Sequence, residues 1–385
     1  MELLSTYATF NSGDAKKNAV DAATKIKRDF SVFKPAQVVF FAPDNYHAGR
    51  LAAEMRDAFP DAVTFGCSSG GEIANGMMLK NSVAAMAFGQ YIFEFFDLVA
   101  IPRLGPDSRS LDHARQVDEA FARFASSLKV PSLGHLDYTQ YFGFAFADGR
   151  HYFVEPILER AGDLTGVRFV GGIAGDGIKN RYTPVFLNGQ AIPDAIILGL
   201  AKPRVKFSLL KTQGMKVPND SFVITKANER VIYELDNQPA ASVYAKAVGV
   251  SENEFSLMNT FARYPLGVMV GEEPYLRVVM DSLPDGSLCF SHALREGTRI
   301  KICELSPIVS STAAALEEQK RELGGIGGIL HINCALRHLV LEEKNELEVF
   351  GGLFRGFPNV GFASHGEIFI AIANFTSTML VLGKD

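Results

Sequence analysis

The chain has 385 residues, 47% of them hydrophobic and 21% charged, with a formal net charge of −5. That length suits two or three domains of about 150 residues each, and the composition is that of a folded globular chain. An acidic balance without a run of lysine and arginine argues against nucleic acid as a partner, since phosphates demand a basic footprint.

The opening residues, with Glu2, Ser5, Thr6 and Thr9, lack the basic-then-apolar order of a secretory signal. The most membrane-like stretch, Ser82 to Pro102, is broken by Gln90, Glu94 and Asp97 and by a Gly89-Gln90 turn. It therefore reads as a β-hairpin, and no membrane association is expected. Cys67, Cys289, Cys303 and Cys334 form no Cys-x-x-Cys pair, so neither structural zinc nor a disulfide framework is expected. A reducing, cytoplasmic location follows.

In chain order, Asp14 to Phe30 has the spacing of an amphipathic helix, with Ala15, Ala19, Ala22, Ala23 and Ile26 on one side. Gln37 to Phe41 suits a buried strand, Ala48 to Phe59 a helix and Ala62 to Phe65 a second strand. The second strand runs into Gly66-Cys67-Ser68-Ser69-Gly70-Gly71-Glu72-Ile73. A helix over Leu111 to Leu128, a Phe-rich strand over Tyr138 to Ala147 and a helix over Tyr152 to Leu164 follow. Val167 to Val170 then leads into Gly171-Gly172-Ile173-Ala174-Gly175-Asp176-Gly177. Thr183 to Leu187 and Ala195 to Leu200 flank an Asn188-Gly189 turn, a hairpin signal.

A domain boundary is predicted at 221, giving domains over 1–221 and 222–385. Past it come short strands over Phe222 to Thr225 and Val231 to Leu235, a helix over Ser242 to Val248, and a strand meander. Ser311 to Leu323 reads as a helix, Ile329 to Asn333 as a strand carrying Cys334-Ala335-Leu336-Arg337, and Leu347 to Phe354 as another helix. Near the end stands Gly361-Phe362-Ala363-Ser364-His365-Gly366-Glu367-Ile368, spaced like the loop at Gly66. The matched spacing, each time after a helix and a short strand, points to an internal duplication. The expected fold class is α/β, two domains with mixed sheets flanked by helices.

These pieces, together with Val185-Phe186-Leu187-Asn188-Gly189, Tyr233-Glu234-Leu235-Asp236-Asn237-Gln238-Pro239-Ala240 and Tyr264-Pro265-Leu266-Gly267, resemble the FIST family over about residues 35 to 375. The resemblance implies an intracellular signal-input protein that binds small ligands such as amino acids. A stand-alone branch of similar length implies more: bound haem, a response to nitric oxide, and a separate histidine kinase as partner. The chain departs from the family pattern at His365, where an aromatic residue is expected.

Haem needs an axial ligand in an apolar pocket. Of His47, His113, His135, His151, His292, His331, His338 and His365, the candidates are His365 in the second loop and His331 on a buried strand, while His113 and His135 read as solvated. For an amino acid or related metabolite, Arg337 and Arg150 suit a carboxylate and Asp176 an amino group. Glu72 and Glu367 are first turn residues and second polar walls of a site between the halves. Cys67 sits on a turn like a nucleophile elbow, but no triad completes it, so a hydrolase is the enzyme alternative to a non-enzymatic sensor. His151-x-x-x-Glu155 lacks the His-Glu-x-x-His context of a metal site. A protein-interaction scaffold is the remaining alternative.

Overall fold

A computed structural model describes residues 2–102, 110–149, 153–177, 182–270, 273–290 and 293–384. Arg150, the expected carboxylate partner, and His151 and His292 fall outside the described residues. The first helix, Ala15–Asp29, starts where the Asp14 side chain accepts from the amides of Lys16 and Lys17, and it buries Ala19, Ala22, Ala23 and Ile26 as the periodicity predicts. Strand Pro35–Ala42, helix Ala48–Ala58 and strand Val63–Ser68 then make a crossover whose two strands pair in parallel, Val39 opposite Phe65. Ser82–Gly89 returns antiparallel to Pro35–Ala42, and the N-terminal strand Leu3–Thr9 pairs along its other edge.

The same order recurs twice. In the second unit Phe93–Pro102, helix Ser110–Leu128, Phe142–Ala147, helix Val154–Leu164, Phe169–Ile173 and Ala195–Pro203 follow one another, with Phe142–Ala147 and Phe169–Ile173 parallel. In the third the order is Phe207–Thr212, helix Ile308–Glu322, Ile326–Cys334, helices Ala335–Glu343 and Leu347–Gly352, Asn359–Ser364 and Ser377–Gly383. Ile326–Cys334 and Asn359–Ser364 are again the parallel pair. The expected mixed α/β architecture holds, and the repeat suspected at the two ends is present a third time in the middle.

Each unit also carries a short hairpin, and each hairpin joins a different unit's sheet. Glu72–Ala74 and Met77–Leu79 extend the third sheet through Asn359–Ser364. Val185–Leu187 and Gln190–Ile192 extend the first through Val63–Ser68. Glu367–Phe369 and Ala371–Ala373 extend the second through Phe169–Ile173. Among the described residues each sheet thus has six strands, the outer two contributed by a neighbour.

Strand alternation explains how the three sheets fit together. Val39 and Phe41, Phe142, Phe144 and Phe146, and Leu330 and Ile332 all point into one shared core. The intervening residues face separate outer cores under the helices: Val38 and Phe40 in the first unit, Ala145 and Ala147 in the second, Ile329 in the third. Three sheets therefore enclose a common apolar interior, with helices outside each. Phe41 packs on Phe362 with ring centroids 4.6 Å apart and on Phe146 at 5.8 Å, joining all three units at the centre.

Two sequence expectations change. Ser82–Gly89 and Phe93–Pro102 are strands but not a hairpin, because the first pairs with Leu3–Thr9 and the second with Ala195–Pro203. The predicted boundary at 221 marks an inserted sheet rather than a second half. Met215–Lys216 and Glu304–Leu305 pair at its base, while Phe207–Thr212 before it pairs with Ser377–Gly383 after it. No helix among the described residues is long and apolar enough to cross a membrane.

Candidate functional site

The three glycine-bearing loops converge, and equivalent atoms make equivalent bonds. Gly66, Gly171 and Gly361 sit at the same step of their strands, where a Cβ would lie 1.8, 1.8 and 1.7 Å from the carbonyl oxygens of Phe40, Ala145 and His331. Only glycine permits that approach. Two residues on, the amides of Ser68, Ile173 and Ala363 donate to the oxygens of Pro184, Gly366 and Gly71 at 2.9, 2.8 and 2.7 Å. Two further on, the amides of Gly70, Gly175 and His365 donate to the oxygens of Ala363, Ser68 and Ile173 at 3.4, 3.3 and 3.0 Å. A closed ring of backbone bonds results.

Glu72 and Glu367 complete two of these turns. Ser69 donates to Glu72 Oε1 at 2.5 Å, and the Ser82 amide to Oε2 at 3.0 Å. Ser364 donates to Glu367 Oε1 at 2.5 Å, with the amide and hydroxyl of Thr376 on Oε2. Burial lifts Glu72 from 4.5 to about 8 and Glu367 to about 7, against the pull of these donors. Both are fully buried with their oxygens occupied, so the geometry gives them the turn role rather than a wall of a cavity. In the middle unit Asp148 does the same work from the central strand's end, accepting from Thr183 Oγ1 at 2.7 Å and the Asp194 amide at 2.8 Å.

The remaining sequence candidates separate. His331 is fully buried, shares a 2.6 Å hydrogen bond with Ser377 Oγ and packs on Phe354; burial drives its pKa down to about 3. Arg337 is also fully buried, and its acceptors are neutral: Asn333 Oδ1, the Gln213 carbonyl and Thr312 Oγ1. Burial lowers its pKa to about 10. His365 packs its ring on Gly175, and burial lowers its pKa while a bond to the Gly177 backbone and the Asp176 charge oppose that. Cys67 lies in the shared core, where burial pushes its thiol well up. His113, expected in solvent, is buried against Phe153 with ring centroids 4.5 Å apart.

Of the sequence candidates among the described residues, Asp176 lines a cavity. The cavity, of ≈ 570 Å³, opens at the C-terminal ends of the parallel strands Pro35–Ala42 and Val63–Ser68, where α/β sheets place ligands. Asp44 and His47 from the strand–helix connection, Ser68, Asp176 and Tyr182 give it its polar lining. The hairpin of the second unit closes it with Pro184, Phe186 and Ala191. Ser68 is 4% exposed, and its Oγ has no hydrogen-bond partner among the described residues. Its neighbour Cys67 faces the shared core, so alternation turns Ser68 toward the helix side, where the cavity lies.

The cavity exists because Pro43 to His47 separate strand from helix in the first unit. In the third unit helix Ala335–Glu343 follows Cys334 directly, so Arg337 and His338 come to lie against the strand ends and are buried there. Sequence reading missed Asp44, His47, Ser68 and Tyr182. The usable signal was the polar run Asp44-Asn45-Tyr46-His47 between a buried strand and a helix.

A FIST N domain matches residues 36–238 and a FIST C domain residues 240–370. The chain belongs to the FIST family, whose domains are regarded as signalling sensors. It is 23% identical over 366 residues to uncharacterized protein MJ1623 of Methanocaldococcus jannaschii, covering 89% of this chain and 68% of that one.

Proposed function

We propose that this protein is a cytoplasmic signal-input protein whose cavity between the first and second units takes a small organic ligand, and whose occupancy is read by a separate protein such as a histidine kinase. The observation that carries this reading is the buried, unpartnered Ser68 hydroxyl in a lined cavity at the parallel strand ends. A polar group left so is satisfied when a ligand arrives. The ring of loops supplies a route outward, because Asp176 in the cavity follows Gly175, which bonds the first loop and carries the His365 ring of the third.

The haem and nitric-oxide expectation fits the residues poorly. Neither His365 nor His331 belongs to the cavity lining, and a haem on His331 would have to displace Ser377 and Phe354 from its ring. A hydrolase through Cys67 would need a thiolate that burial opposes.

Thermal-shift screening of the full chain against small metabolites is the test. A ligand that binds the folded state raises the midpoint. Ala191→Phe, which narrows the cavity from the hairpin side, should remove the shift. A shift that survives Ala191→Phe would move the site elsewhere. Haemin giving a Soret band that is lost in His365→Ala would reinstate the haem reading.

A further inference from the structure

We infer that the ligand is a phosphate monoester, its phosphate seated where the first turns of helices Ala15–Asp29 and Ala48–Ala58 meet and its organic part inside the cavity on Ser68. This rests on the cavity being the ligand site.

Two helix starts converge at the cavity. Ala15, Ala48 and Gly49 all line it, and the His47 amide donates to the Ala15 carbonyl at 3.1 Å, tying one first turn to the other. The first amides of a helix have no partner within it and carry partial positive charge. Several are answered here: Asp14 accepts from Lys16 and Lys17, His47 Nδ1 from Arg50, and the His47 carbonyl from Leu51. The amides of Ala15, Ala48 and Gly49 have no acceptor among the described residues. Unanswered donors from two helices make an anion site.

The surroundings favour phosphate over carboxylate. An outer recess adjoins the cavity, sharing His47 and Gly49 with it, and Lys16, Lys17 and Arg50 line that recess beside the capping Asp14. Lys17 pairs with Asp21 and Arg50 with Glu54, exposed pairs that can be shared with an anion at little cost. Lys16 has no acid partner among the described residues. A phosphate ester brings nearly two charges and three free oxygens to such donors, more than a carboxylate offers. The acids of the cavity lining, Asp44 and Asp176, are each already engaged within the fold, so neither stands free to draw a cation instead.

Ser68 decides that the anion is an ester. Its amide and carbonyl are taken by Pro184 and Gly175, while its buried hydroxyl is not. Ala42, Leu51, Phe186 and Ala191 make the lining largely apolar. Inorganic phosphate at the helix starts would leave that hydroxyl unanswered, whereas an organic group with one polar atom answers it.

Proline tests the amides without disturbing the helices, because it is favoured at the first helical position when the preceding residue is extended. Asp14 and His47, which precede Ala15 and Ala48, are extended already, with ψ of 105° and 104°. Ala15→Pro with Ala48→Pro should therefore melt no lower than the parent. Calorimetric titration of the full chain compares phenyl phosphate, glycerol phosphate and adenosine monophosphate with phenol, glycerol and adenosine. At least one ester should bind about tenfold or more tightly than its unphosphorylated parent and than inorganic phosphate, and should lose that advantage in the double variant. Ser68→Ala should weaken the ester and its parent alike. No ester outbinding its parent, or the full advantage surviving in the double variant, would overturn the inference. An unphosphorylated metabolite whose shift is lost in Ala191→Phe, with no ester binding, would overturn it while leaving the cavity as the site. Ester binding that survives Ala191→Phe would overturn both readings.

Discussion

Glu72 and Glu367 are acids folded away from water, and their protons belong to the fold. Each holds its proton more tightly folded than unfolded, so the folded state is favoured most below 4.5. Stability then falls as pH rises toward about 7 for Glu367 and about 8 for Glu72. Glu72→Gln with Glu367→Gln should flatten that decline, at a pH-independent cost of about 1 kcal/mol per acceptor lost to an amide NH2. Urea unfolding across this range checks it; the same slope in parent and double variant would contradict the assignment. These two acids were legible because Ser-x-x-Glu is local in sequence. Asp148 was not, since it reaches the equivalent place from a different strand. Ser68 was invisible for a similar reason: an unpartnered hydroxyl is a property of what surrounds it.

Among the elements, periodicity found most helices and the buried strands, because those signals live within a dozen residues. Pairing partners did not follow from it. Gly89-Gln90 looked like a hairpin turn, yet its two strands answer to Leu3–Thr9 and Ala195–Pro203 far away in the chain. The strand–strand contact at Gly361 gives a sharp test. Gly361→Ala would place a methyl 1.7 Å from the His331 oxygen, and should lose about 3 kcal/mol or more. Gly162→Ala, in the helix Val154–Leu164 with open space around it, should gain up to about 1 kcal/mol. Chemical denaturation of both variants measures the contrast, and a mild Gly361→Ala would mean the sheets can part there without penalty.

At the scale of the molecule, the two family domains map onto three structural units and one inserted sheet. The ring of loop amides binds those units at their centre, so the Ser68, Ile173 and Ala363 amides should exchange with solvent together and in the slowest class. Hydrogen exchange read by mass spectrometry would show it; separate exchange of the three would make the units independent. The circulation of hairpins bears on what can be cut away. A fragment ending near residue 203 would keep the first sheet whole, but the second would lose the outer strands Glu367–Phe369 and Ala371–Ala373. The ribbon Glu72–Leu79 would hang loose with no third sheet to receive it. Bared edges of that kind seek strands from other chains. Shortened versions of this protein should therefore be sticky, trading ribbons between copies as the intact chain trades them within itself.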